Sequence, residues 1–236
     1  MGFDTETTGV DVYDNSVRVV TCAMILQMSS SEEPRIIEYM MDPEVEIPEG
    51  ASAVHGITTE HARANGMNYR EGLQKVADLF KYAIENSIPT VAHNASFDAT
   101  LLRIEFINQG IDFDQSYWEK LIIVDTIVLD RAIDKWRKGG KKLTAVAAHY
   151  GYDIGDNAHE ATADVLACMH IGRAIIPRFA DFVERNLGAR PQGFQDLHEI
   201  QKHYFKAQMD DLEDYFRKKD PEKTLNKSWP FQDREE

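Results

Sequence analysis

The 236-residue sequence predicts an α/β fold whose sheet opens antiparallel and continues parallel, flanked by helices and followed by a helical extension at the C-terminus. Three observations predict it. Three β-rich stretches at the start are joined by short turns, the pattern of an antiparallel meander. From Tyr69 to Ile176 short apolar strands alternate with helices, the pattern of parallel strands with crossovers. Beyond Arg190 apolar residues recur at helical spacing with no strand between them.

In chain order, the first strand ends at Thr8-Gly9, a turn signal. Val17 to Met28 is a long apolar, β-rich run, and Arg35 to Met41 is the third strand. Residues 42–50 carry two prolines and no period, so they read as loop. Thr58 or Thr59 caps a short helix through Ala64, stopped by Asn65-Gly66. Tyr69 to Asn86 places Leu73, Val76, Leu79, Phe80 and Ala83 at helical spacing. Pro89 to Ala92 is a short strand, and Ser96 to Gln109 a helix ended by Gly110. Leu121 to Val124 is a strand; Asp125 at its end reads as the cap of a helix reaching Lys135. Leu143 to Tyr150 is a helix closed by Gly151. Another runs from Glu160 to Ile176, where Pro177 breaks or kinks it. Phe194, Leu197, Ile200, Tyr204, Gln208, Leu212 and Tyr215 then mark one long amphipathic helix. Trp229-Pro230-Phe231 in the polar tail is a docking point. We divide the chain into a domain over 1–189 and an extension over 190–236.

Apolar content of 43% and charged content of 28% are ordinary for a globular protein. No apolar run is long enough to span a bilayer, and no charged-then-apolar leader precedes the first strand. Cys22 and Cys168 make no disulfide framework and read as buried thiols in a reducing compartment, so a cytoplasmic location is expected. The net charge of −14 argues against a non-specific duplex binder, which carries a broad basic face. It is compatible with a nucleic-acid enzyme whose clustered carboxylates are neutralised by bound metal.

The chemistry concentrates in three stretches. In Phe3-Asp4-Thr5-Glu6-Thr7-Thr8-Gly9, residues i and i+2 of a strand share a face, so Asp4 and Glu6 project side by side. Two carboxylates that close repel, and a hard divalent cation relieves the repulsion. His93-Asn94-Ala95-Ser96-Phe97-Asp98 ends a strand and starts a helix, with Asp98 on the first turn. His159-Glu160-Ala161-Thr162-Ala163-Asp164 places Asp164 on another first turn, with His159 in the preceding loop. Each has a bland alternative: solvated acids on a surface strand, capping acids, and a strand-end histidine satisfied by backbone. The combination is much rarer than any part.

These stretches resemble the DnaQ-like, DEDDh-type 3′→5′ exonucleases, which include the proofreading epsilon subunit of bacterial DNA polymerase III, stand-alone bacterial and phage exonucleases, and the ribonuclease T and oligoribonuclease groups. Asp4 with Glu6, Asp98, and Asp164 with His159 five residues before it match the family's three blocks in order. Asp42-Pro43, Ile47-Pro48, Val54-His55-Gly56-Ile57-Thr58, Val124-Asp125-Thr126 and Leu143–Tyr150 match secondary blocks. The resemblance covers Gly2 to Ile176, and the segment beyond Arg190 lies outside the shared core. It implies an RNase H-like fold with a mixed five-stranded sheet. It also implies two divalent ions, Mg²⁺ or Mn²⁺, held by Asp4, Glu6, Asp98 and Asp164, with Asp4 bridging them. His159 is then the general base for the attacking water. The product is a nucleoside 5′-monophosphate released from a 3′ end. Thr7, His55, Asn94 and Phe97 are implied to bind the terminal nucleotides, Phe97 by stacking; His55 has the alternative of packing under the strand ends.

The expected partner is nucleic acid with a free 3′ end, DNA in preference to RNA and single-stranded or frayed. RNA 3′-end trimming is the alternative within the same chemistry. From another class comes a polymerase-tethered binding subunit, attached through the C-terminal helix. The basic stretch Arg131, Lys135, Arg137, Lys138, Lys141 and Lys142 reads equally as a phosphate-steering loop and as a solvated one.

Overall fold

The computed structural model describes residues 1–29, 32–155 and 160–233. A five-stranded sheet has the order β3-β2-β1-β4-β5. β1 (Gly2–Thr7) lies between antiparallel β2 (Val19–Leu26) and parallel β4 (Thr90–Ala92). β3 (Arg35–Met40) extends the meander outward from β2, and β5 (Ile123–Asp125) pairs parallel with β4. The expected antiparallel-then-parallel sheet is present. β2 is buried along almost its whole length, as a strand covered on both faces must be.

Alternation along β1 sorts its side chains. Phe3 faces the core built by α3 (Tyr69–Glu85) and α4 (Ala95–Asn108), and its ring meets Phe80 edge-on with centroids 5.3 Å apart. Gly2, Asp4 and Glu6 face the opposite side, crossed by α8 (Ala161–Leu187). A Cβ on Gly2 would lie 2.5 Å from Val165 Cγ1 and 2.8 Å from Met169 Cγ. Glycine therefore lets α8 sit directly on the strand, and Asp164 is the neighbour of Val165. The ladder between β1 and β2 shifts register after Glu6: Glu6 pairs with Thr21, but Thr7 pairs with Val19. Such bulges re-aim side chains at strand ends.

Three helices differ from the sequence expectation, one of them the single turn Gln115–Trp118, which it did not include. α1 (Glu49–His55) occupies a stretch read as loop up to Gly50, and α8 continues through Pro177. Pro177 and Arg173 are both exposed, so water can reach the carbonyl left without its amide partner at the proline, and the helix survives. α2 (Thr59–Asn65) starts where expected, with the Thr58 hydroxyl accepting from the His61 amide at 3.2 Å. α5 (Gln115–Trp118) is a single turn capped by Asp114. α6 (Thr126–Ile133) and α7 (Leu143–His149) follow. α9 (Phe194–Arg217) lies against β5 and α6, with Leu197 and Phe205 buried. Its apolar stripe thus packs on the body of the protein, although Phe194 and Tyr215 at its two ends are exposed. Among the described residues, no helix is long and apolar enough to cross a membrane.

Candidate active site

Three elements bring four carboxylates together. β1 presents Asp4 and Glu6, and the first turn of α8 presents Asp164. One carboxylate oxygen from each of these three lies within 4.8 Å of the others. Asp98 comes from the first turn of α4 and is buried. It is fixed by Thr5, whose backbone N–H and hydroxyl both donate to Asp98 Oδ1, at 3.1 and 2.6 Å. Thr5 points away from its two acidic neighbours, so one tripeptide supplies two candidate ligands on one face and the clamp for a third on the other.

The electrostatics are those of a site built for positive charge. Burial raises the Asp4 carboxyl well above its usual range, and the fields of Asp98, Glu6 and Asp164 raise it further. Glu6 is pushed up to about 8 by burial, then by Asp164, Asp98 and Glu38. Burial pushes Asp98 up to about 7, against the pull of the Thr5 hydrogen bonds. Among the described residues, no lysine or arginine pairs with Asp4, Glu6 or Asp98. Convergent, mutually repelling oxygen donors fit a hard divalent metal ion.

The remaining sequence candidates are distributed as follows. Thr7 ends β1, its hydroxyl donating to the Gly9 carbonyl at 2.7 Å. His55 ends α1 and lies against the Thr7 backbone, where burial lowers its pKa. Asn94 is exposed and adopts a left-handed φ of 70° just before α4. Phe97 is half-buried on the first turn of that helix. The structure therefore groups Thr7, next after Glu6 on β1, with His55, and puts Asn94 and Phe97 at the start of α4, the helix that carries Asp98. His159 lies outside the described residues; it precedes Glu160, the N-cap of α8.

A family model for exonucleases (RNase_T) matches residues 1–171. The chain belongs to this exonuclease family. Over 135 residues it is 30% identical to a PolC-type DNA polymerase III of Mycoplasmopsis pulmonis, covering 56% of this chain and 8% of that protein. Over 166 residues it is 29% identical to a DNA polymerase III subunit epsilon of Rickettsia conorii, covering 68% of this chain and 66% of that one. The structure of exonuclease I superposes with a TM-score of 0.61 at 25% identity, covering 78% of this chain and 43% of that one. Escherichia coli exonuclease I in complex with a dA16 oligonucleotide gives 0.62 at 24% identity, covering 87% and 44%. The chain thus spans less than half of exonuclease I and a small part of the PolC-type polymerase. Its sheet and flanking helices are the RNase H-like exonuclease fold.

Sequence reasoning assigned no role to Thr5 or Glu38. Glu38, on β3, adds to the field on Glu6 and accepts from the Thr162 hydroxyl of α8 at 2.6 Å. A serine or threonine between two paired acids is a usable signal for the first; nothing local marks the second. Asp125 caps α6 as expected, accepting from the Ile127 amide at 3.1 Å. His93 is satisfied structurally: Nε2 donates to the Lys141 carbonyl at 3.0 Å, leaving Nδ1 to accept from the Thr126 hydroxyl at 2.7 Å. The basic stretch is partly consumed inside the protein. Arg137 and Lys141 both pair with the buried Asp130, and Lys135 pairs with Asp211.

Proposed function

We propose that the protein is a metal-dependent 3′→5′ exonuclease that hydrolyses DNA, at single-stranded or frayed 3′ ends, to nucleoside 5′-monophosphates. The observation that carries this reading is the convergence of Asp4, Glu6 and Asp164 within 4.8 Å, with Asp98 clamped by Thr5 beside them. Asp4, Glu6, Asp98 and Asp164 would hold two ions, Mg²⁺ or Mn²⁺. When bound, these supply charge neutralisation at the scissile phosphate and a water acidic enough to be deprotonated near neutral pH. His159 accepts the proton of that water on a ring nitrogen; an unperturbed imidazole, with a pKa of ~6.5, suits the task. Thr7, through its backbone, and His55, Asn94 and Phe97 orient the terminal nucleotides, Phe97 offering a ring face. The dA16 oligonucleotide held by E. coli exonuclease I supports DNA as the substrate. Residues 1–189 form the exonuclease domain and 190–236 an extension docked on it. A cytoplasmic location suits the two buried thiols, Cys22 and Cys168.

The test is digestion of 3′-labelled and 5′-labelled single-stranded DNA, with and without Mg²⁺ or Mn²⁺, beside Asp4→Ala and a matched RNA. Metal-dependent release of the 3′ label as mononucleotide, a stepwise-shrinking 5′-labelled ladder and an inactive variant support the reading. Folded protein that cleaves neither polymer in the presence of metal refutes it.

A further inference from the structure

We propose that the C-terminal extension positions the catalytic carboxylate Asp98, through Trp229, Gln201 and Asp125; the proposal rests on the exonuclease reading above. β5 ends the sheet, and its outer backbone groups are satisfied by side chains of α9 rather than by another strand. The Asp125 amide donates to Gln201 Oε1 at 2.7 Å, Gln201 Nε2 donates to the Ile123 carbonyl at 3.1 Å, and the Ile123 amide donates to His198 Nδ1 at 3.0 Å. From the tail, Trp229 Nε1 donates to Asp125 Oδ2 at 3.3 Å, with the indole ring packed 5.0 Å from His198. Trp229, His198 and Gln201 are all buried.

Asp125 faces the other way as well. Its Oδ1 accepts from the Asn94 amide at 3.0 Å and from the Ile127 amide at 3.1 Å. Asn94 is the left-handed residue from which α4 starts, and its own side chain does not cap that helix. A non-glycine residue at positive φ persists only where its surroundings hold it, and here the hydrogen bond to Asp125 is such a hold. Asp98 lies four residues on, in the first turn. The chain of contacts therefore runs from the tail and α9 to Asp125, to the Asn94 turn, and to Asp98. Asp125 is fully buried, so removing a donor from Oδ2 leaves a buried oxygen short of a partner and lets the carboxylate turn away from Asn94. Trp229 and Gln201 are positioning residues: among the described residues neither shares a hydrogen bond with Asp4, Glu6 or Asp98, and both act through Asp125.

Two full-chain variants cut the same link from opposite sides. Trp229→Phe keeps the ring and loses the N–H. Asp125→Asn keeps an oxygen for Asn94 and Ile127 and turns an NH₂ toward the indole. We expect each to remain folded, with kcat on single-stranded DNA in Mn²⁺ lowered about tenfold and KM held within about twofold, as for a reacting group displaced by a fraction of an ångström. Amide exchange over residues 94–98 should quicken about fivefold in both, and the double variant should be no worse than the poorer single. Wild-type kcat and exchange in folded Trp229→Phe and Asp125→Asn, a lower Tm with kcat intact, or additive losses would overturn the proposal. If the wild-type protein itself releases no mononucleotide, the exonuclease reading falls, and the exchange of residues 94–98 still decides whether the tail controls that turn.

Discussion

Replacing Glu6 by glutamine should make the metal-free protein more stable, not less. Glu6 ordinarily titrates near 4.5 and is pushed up to about 8 in the folded protein by burial and by Asp164, Asp98 and Glu38. For an acid raised in this way, both states are protonated below the unfolded value, so nothing is lost there. As pH rises from about 4.5 to about 8, the unfolded chain gives up the proton while the folded chain resists, and wild-type stability falls relative to the variant. Each pH unit within that window is worth about 1.4 kcal/mol at most. Solvent reaches part of this carboxylate, so we discount the sum to about 2 kcal/mol at pH 7. For a chain of this size that is a rise in Tm of roughly 4–8 °C. The assay is thermal unfolding of wild type and Glu6→Gln in EDTA at pH 4, 5.5, 7 and 8. Saturating Mn²⁺ should reverse the order, since a ligand at ~100 times its Kd adds about 2.7 kcal/mol to the protein that binds it. Equal or lower stability of the variant at pH 7 in EDTA, or a gap that does not widen between pH 4 and pH 8, would refute the electrostatic account of the site.

Three further outcomes follow from contacts described above or nearby. Thr5→Val keeps the β-branched shape and removes the 2.6 Å hydrogen bond to Asp98; kcat should fall about tenfold as Asp98 loses its aim, measured by mononucleotide release in Mg²⁺. Tyr69→Phe removes a buried hydroxyl that donates to Glu105 at 2.7 Å and accepts from the Val19 amide at 3.1 Å, costing about 2 kcal/mol in urea unfolding. Asp130→Ala strips Arg137 and Lys141 of their shared, fully buried partner and should cost about 3 kcal/mol. In the wild type, burial pushes the Asp130 carboxyl up, but hydrogen bonds and charge from Arg137 and Lys141 outweigh it and hold the pKa below the usual 3.8. That stabilisation is complete above the unfolded value and fades as pH falls through the folded one, so the gap between wild type and Asp130→Ala should close in strong acid.

The parts legible in the sequence were those whose cause is local. Asp4 and Glu6 share a face because a strand has a period of two, and Asp98 and Asp164 sit on first turns because short acids favour helix starts. α3 could be read because it buries Leu73, Val76 and Phe80 at helical spacing. α1 could not: none of its residues is buried, so it has no apolar stripe, and it starts after a proline in a stretch that reads as loop. Pro177 signalled a break or a kink; the helix runs on to Leu187, with Pro177 on its exposed side. The support around Asp98 was invisible for a different reason. Gln201 and Trp229 reach Asp125 across 76 and 104 residues of chain, and no periodicity connects positions so far apart. Asp125 itself announced only its helix cap, since a buried carboxylate serving two turns at once looks in sequence like any capping acid.

The side-chain seal along β5 leaves the sheet asymmetric toward other molecules. On that side Gln201 and His198 occupy the backbone groups that a further strand would need, so the ladder cannot be extended there without displacing α9. The opposite border is β3, the other terminal strand, where Arg35, Ile36 and Glu38 are exposed. Charged side chains on a short border strand are a usual guard against unwanted pairing. Growth of the sheet, whether by an added peptide or by self-association, is therefore confined to β3, and there to the stretch before Met40, whose carbonyl already accepts from the Met67 amide at 2.9 Å. The same strand carries Glu38, whose field reaches Glu6, so whatever docks there would also alter the charge felt inside the carboxylate cluster.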